Sequence, residues 1–303
     1  MKFKVIIPII LFVFCICLIT ILVSFRGSPR IPKAIIVDNL RLDKLSPSGK
    51  NIPFVNETRK LLKGVGVEVE YVGVENVTLE VYQNLAQYNF VILRVHSGML
   101  VEGGKKIICF FSSEELSERN LQKYGQWFDK NYLANATLEL PNGIKKSFIG
   151  VRPNFIRNCL NGRFQDSIII AMGCNSSFND SMARAFVNDR NALAYIGWTS
   201  DVTVNHTDSA TLGLLKSFFE KNETIKEAIN KAPADRRTGA RLTYYPDDKT
   251  TGNLRPKEII EQLLEKKSSF ISDLIDSFSW VLLITLSASN WLSSCYRKFL
   301  RKF

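Results

Sequence analysis

Four short apolar runs constrain this chain more than any other feature: AIIV (34–37), FVILRV (90–95), SIIIAM (167–172) and ALAYIG (192–197). Runs this short, rich in β-branched residues and bounded by polar or turn-forming residues, are strands buried on both faces. A strand apolar on both sides needs cover on both sides, which the helices of a parallel α/β sheet provide. Helical signals alternate with the runs as that architecture requires. PFVNETRKLLKG (53–64) opens on Pro53 and stops at Gly64, TLEVYQNLAQY (78–88) has helical spacing, and further helices are predicted over 181–188, 207–221 and 224–231. VEVEYV (67–72) alternates as one more strand.

About seventy residues of different character separate the second and third runs. KKIICFFSS (105–113) reads as a strand, and TLELPNGIKKSFIGV places Asn142-Gly143 between two partly alternating segments, a hairpin signal. The block 98–166 is therefore predicted to be an inserted, mainly β subdomain beside the mouth of any site on the sheet.

Two of the runs end in residues that can do chemistry. FVILRVHSG delivers His96 and SIIIAMGC delivers Cys174, both beyond the carboxyl edge of the predicted sheet, where open α/β folds bind their ligands. The chain has two histidines and six cysteines. Cys15 and Cys17 lie in an N-terminal apolar segment and Cys295 lies beside a second one, which leaves Cys109, Cys159 and Cys174 in the body. No CxxC pair or His-rich tract is present, so no metal site is expected, and no cofactor motif was found. A thiol with an imidazole as its base is the chemistry that the remaining residues suggest. The bland alternative makes Cys174 a small buried hydrophobe and His96 a hydrogen-bonded strand-end residue.

Formal net charge is +11, which raises the question of nucleic acid. Four of the basic residues sit in the terminal RKFLRKF, and most others are interleaved with acids, so the charge reads as membrane flanks and solvated faces, with no nucleic-acid partner. Val5 to Phe25 carries no charge, follows Lys2 and Lys4, and precedes Arg26. Its 21 residues at about 1.5 Å each span roughly the 30 Å hydrocarbon core, and no small-residue cleavage site follows, which favours an uncleaved anchor (1–30) over a signal peptide. Residues 278–294 are apolar but shorter and serine-rich. With the basic tail to 303 they are expected either to span or to lie in the interface with Trp280 and Trp291 at headgroup level. Residues 236–277 read as a linker and an amphipathic helix. Two spans would put both termini inside and the body outside. Seven N-x-S/T sequons, at Asn56, Asn76, Asn135, Asn175, Asn179, Asn205 and Asn222, suit that extracytoplasmic placement, in which Cys109 and Cys159 could pair as a disulfide and leave Cys174 free.

The matching pieces VILRVHSG and IIIAMGC resemble the clan CD cysteine peptidases, the group of caspases, gingipains, legumains, separases and CHAT domains. In that group one hydrophobic strand ends at the catalytic histidine and a later one at the catalytic cysteine. The segment MARAFVNDRNALAYIGWTSDVTVNHTDSATLGLLKSFFEKNETIKEAINKA is similar to the helix, strand, Trp-containing loop and long helix that follow the cysteine there. The resemblance covers roughly residues 34–232. It implies a caspase-like α/β domain (34–235), a mostly parallel sheet with helices on both faces, and a cysteine endopeptidase acting on a peptide or protein substrate, with no statement about oligomeric state.

In that reading Cys174 attacks the carbonyl and His96 protonates the leaving amine. Backbone amides of Ser97, Gly98 and Gly173 with that of Cys174 hold the oxyanion, a contribution on the order of a few kcal/mol. Two departures stand out: the family usually has His-Gly where this chain has His96-Ser97, and Asn-Ser-Ser follows Cys174 in place of a glycine-containing turn. The resemblance to the separase loop makes Asp201 in WTSDVT a receptor for a basic side chain, implying cleavage after Arg or Lys. Trp198 and Asp38 are further candidates to line the cleft. His206 is a rival base, more simply read as a loop histidine before a helix capped by Thr207 or Asp208. The alternative function is a membrane-anchored binding or scaffold domain that kept the sheet and lost activity.

Overall fold

The computed structural model describes residues 31–40, 52–140, 142–272 and the single positions 275, 279 and 283. Pro32–Glu261 form one compact unit.

This unit is built on a six-stranded sheet: β1 (Lys33–Asp38), β2 (Glu68–Val72), β3 (Phe90–Arg94), β8 (Ile168–Ala171), β9 (Ala194–Trp198) and β10 (Leu242–Tyr245). Its order is β2-β1-β3-β8-β9-β10, and every neighbouring pair is parallel except β9 with β10. The apolar runs form its centre for the reason their composition suggests. In β1, β3, β8 and β9 the interior positions are buried on both faces. Ile35, Val37, Val91, Leu93, Ile169, Ala171 and Tyr195 share one core cluster with α2 (Leu79–Gln83), α4 (Pro153–Cys159) and the short α5 (Ser181–Arg184), which runs on as a π-turn over Ala185–Asp189. On the opposite face Phe90 meets Phe219 edge to face at 5.3 Å, and α6 (Val204–Phe219) packs with α1 (Pro53–Gly64). α7 (Ile225–Lys231) begins in a full capping box between Thr224 and Glu227.

The inserted block is a four-stranded antiparallel sheet in the order β4-β5-β7-β6, with β4 (Ser97–Glu102), β5 (Lys105–Glu115), β6 (Leu133–Glu139) and β7 (Lys145–Val151). One helix, α3 (Glu118–Asp129), crosses between β5 and β6. The predicted Asn142-Gly143 turn joins β6 to β7, with Gly143 at φ +78°. Gly103 (φ +54°) and Gly104 (φ +75°) close the β4–β5 hairpin in the left-handed conformations that a two-residue primed turn needs.

The strand-and-helix expectations differ from the structure in three places. The strand β4 and the helices α3 and α4 were not anticipated, because SGMLVE mixes glycine, polar and apolar residues without a clear period. α6 starts a turn earlier than expected, after Thr203, so His206 lies inside its first turn. The segment 236–277, read as a linker and an amphipathic helix, supplies β10 and the short α8 (Lys249–Gly252) before a helix over 256–272. The compact unit thus extends past 235, since β9 needs a neighbour on its outer edge. Among the described residues no helix is long and apolar enough to cross a membrane. The candidate span 5–25 lies outside the described residues, and 278–294 lies almost wholly outside them.

Candidate active site

β3 and β8 are adjacent and parallel, with Leu93 paired to Ala171 and the Met172 amide donating to the Leu93 carbonyl at 2.9 Å. His96 and Cys174 each lie three residues beyond that pair, so the two chains leave the sheet side by side. Both residues are partly exposed, whereas the strand residues before them are buried.

Contact between the two exits is direct. The Ser97 hydroxyl donates to the carbonyl oxygen of Cys174. Gly173 is what permits the approach: a Cβ there would lie 2.4 Å from Ser97 Oγ and 2.5 Å from the Val95 carbonyl oxygen. The Ser97 hydroxyl thus ties the histidine segment to the cysteine segment. The second departure also has a structural account. Asn175 adopts φ +56°, the left-handed conformation that asparagine tolerates better than other non-glycine residues. Its amide donates to the Ser200 carbonyl at 2.9 Å, and its side chain donates to Asp201.

The backbone of His96 is held by a residue that the sequence did not single out. Asn39, fully buried just past β1, accepts from the His96 amide at 2.9 Å and donates to the Phe111 carbonyl at 2.7 Å. The Phe111 amide in turn donates to the His96 carbonyl at 2.9 Å. The carboxamide is thus inserted into the first rung between the histidine and β5, and the His96 and Phe111 rings lie 6.0 Å apart.

That rung also sorts the amides. In an antiparallel ladder hydrogen-bonded pairs alternate with unbonded ones. His96 and Phe111 form a bonded pair, and the register continues with Gly98 opposite Cys109. The Gly98 amide is therefore engaged across the ladder and is not a donor to an oxyanion, whereas the Ser97 amide points away from β5.

Cys174 Sγ lies 3.5 Å from both the amide nitrogen and the carbonyl oxygen of Val202. Burial pushes the thiol up from its ordinary value. The Val202 amide opposes the rise, and the carboxylates of Asp201 and Asp235 add to it. Asp201 is exposed beside this thiol. Asp235 clamps the same loop from behind, accepting from the amide and hydroxyl of Thr203 at 2.8 and 2.9 Å. Those bonds, with a third from the Arg237 amide, hold its carboxyl down at about 2.

Trp198 and Asp38 do not line an open site. Trp198 ends β9 fully buried, its ring nitrogen donating to Thr207 Oγ at 2.9 Å. A bulky indole at the end of a central strand is covered by α6, not presented by a loop. Asp38 is also fully buried and bonds Arg94 at 2.6 Å. Arg94, two residues before His96, reaches Asp208 of α6 with two further bonds at 2.8 and 2.9 Å. A buried guanidinium needs such partners, so Asp38 serves β3 and not the solvent. His206 has its ring edge-on to Trp198 and within 3.0 Å of the Pro233 carbonyl, a loop-holding arrangement. Cys109 and Cys159 are free thiols, one buried on β5 and one at the end of α4, so the expected disulfide is absent. Among the described residues no group of three His, Cys, Asp or Glu is placed to hold a metal ion.

A groove of about 740 Å³ lies elsewhere, between α2 and α3. No protein-family model matches this chain, and no curated protein matches it in sequence.

Proposed function

We propose that this chain is a cysteine endopeptidase of the clan CD type, using His96 and Cys174, anchored in a membrane through residues 5–25 with its catalytic body on the extracytoplasmic side. One observation carries the reading. The last paired residues of adjacent parallel strands, Leu93 and Ala171, lie three residues before a histidine and a cysteine, and a serine hydroxyl and a glycine without room for a side chain hold the two exits together. A purely structural cysteine has no need of such a neighbour.

In the reaction His96 takes the thiol proton as Sγ attacks the peptide carbonyl, so that an S–C bond forms. The amides of Ser97 and Cys174 receive the oxyanion. Collapse breaks the C–N bond while His96 returns the proton to the leaving amine, and water then hydrolyses the thioester. Burial raises the Cys174 thiol above its ordinary value, so the attack draws on His96 as its base. Asp201, exposed beside Cys174, suits a basic residue before the scissile bond.

A second reading, a binding or scaffold domain without activity, draws on that same raised thiol, because burial and two carboxylates disfavour a thiolate. Labelling with a thiol-directed peptidyl electrophile separates the two. We expect labelling that is lost in Cys174→Ala and in His96→Ala, with Arg or Lys electrophiles preferred over Asp or Asn. A folded protein that takes no label overturns the peptidase reading, and equal labelling by all four overturns the role of Asp201.

A further inference from the structure

One edge of the inserted sheet, β4, starts at the candidate site. β4 is a terminal strand of its sheet, and it begins at Ser97 directly after His96. By the ladder alternation, Gly98, Leu100 and Glu102 bond to β5, whereas the amides and carbonyls of Met99 and Val101 point away from it. β4 has β5 as its only neighbour in the sheet, so no further strand pairs with those groups. Val101 is 64% exposed.

Exposed edges are usually blunted by charge, proline, bulges or short length. Both edges of the six-stranded sheet follow that rule: β2 carries Glu68 and Glu70, and β10 is only four residues long. β4 has no proline and its only charge, Glu102, is neutralised by Arg152 at 2.6 Å. Nor is it a loose arm. The Glu102–Arg152 pair fixes its far end, the Ser97–Cys174 bond fixes its near end, and the Asn179 side chain donates to the Lys106 carbonyl of the paired strand at 2.6 Å.

From this rigid, unblunted edge we infer that β4 is the docking strand for an extended polypeptide, which adds to the sheet through main-chain bonds to Met99 and Val101. Resting on the peptidase reading, the inference also has a direction. His96 gives its proton to the leaving amine, so the part of the substrate on the amine side of the scissile bond is the part that runs along β4. Recognition through the main chain requires an unfolded or extended segment and is indifferent to its side chains, which leaves residue choice to the Asp201 side.

The test uses the full chain carrying Cys174→Ala and reduced, carboxymethylated casein as an extended polypeptide. Hydrogen exchange at Met99 and Val101 is expected to slow on adding casein, while Gly98 and Leu100, already bonded, change little. Met99→Pro and Val101→Pro remove outward donors without removing a β4–β5 bond. Each is expected to weaken casein binding about tenfold, in line with the loss of one or two intermolecular hydrogen bonds. Thermal unfolding close to that of the parent shows that these variants remain folded. Unchanged exchange with casein, or equal affinity of the parent and the proline variants, overturns the inference. Concentration-dependent dimerisation that Val101→Pro abolishes, without a change in casein binding, also overturns it by assigning the edge to a second copy. Failure of electrophile labelling in the unmodified protein bears only on the peptidase reading, since protection at β4 is measured without catalysis.

Discussion

Gly173 carries a constraint that its neighbours make absolute. An added Cβ would meet both a serine hydroxyl and a main-chain carbonyl at about van der Waals overlap, and only the first of these can move aside. Gly173→Ala is expected to destabilise the unit by about 1–3 kcal/mol, the usual cost of overpacking, and to spread the His96 and Cys174 segments. The double variant Gly173→Ala with Ser97→Gly should recover only part of that loss, because the Val95 carbonyl remains. Urea unfolding of the two variants measures it, and full recovery in the double variant would assign the clash to Ser97 alone. Gly173 was legible in the sequence as part of a strand-end motif. Asn39 was not, because a buried carboxamide 57 residues before its partner leaves no local pattern.

The loop after β9 is held in place by Asp235, the last residue of the predicted domain, and by Arg241 in the segment the sequence reads as linker and amphipathic helix. Asp235 joins Thr203 across that gap, and Thr199 with Arg241 adds two further bonds of 3.0 and 3.1 Å. Asp235 titrates at about 2 in the folded chain against about 3.9 for an unfolded aspartate. A depressed acid stabilises the fold above its unfolded value and loses that contribution as pH falls toward the folded one. Unfolding measured against pH should therefore show Asp235→Asn less stable than the parent above about pH 4 and the two converging near pH 2. A gap that stays constant across this range would mean that the bonds to Thr203 do not depend on the charge. The helix α7, by contrast, lies where the sequence predicts one, over 224–231, and the structure shows that Thr224 and Glu227 close its start in a capping box.

The body of the molecule closes on β10, not on the end of α7. A chain comprising residues 32–261 holds every strand of the six-stranded sheet, whereas one ending at 235 leaves β9 as a fully apolar edge and removes the bonds to Thr199. We expect the longer fragment to unfold cooperatively in urea and the shorter one to aggregate or to unfold without a sharp transition, as light scattering and circular dichroism would report. Comparable cooperativity of the two fragments would place the boundary at 235 after all.

The apolar runs, their alternation with helices and the residues at their ends are matters of local composition and period, so sequence alone determined the central parallel strands, the hairpin at Asn142-Gly143 and the pair His96 and Cys174. Register, partners and exposure depend on residues far apart in the chain, and these only the tertiary structure decided. It buried Trp198 and Asp38, engaged Gly98 in a ladder, kept Cys109 and Cys159 apart, and gave Ser97 a partner across the site. The physical reason is the same throughout: a period of two or 3.6 identifies an element from within. What that element touches is set by packing between elements, which no short stretch of sequence encodes.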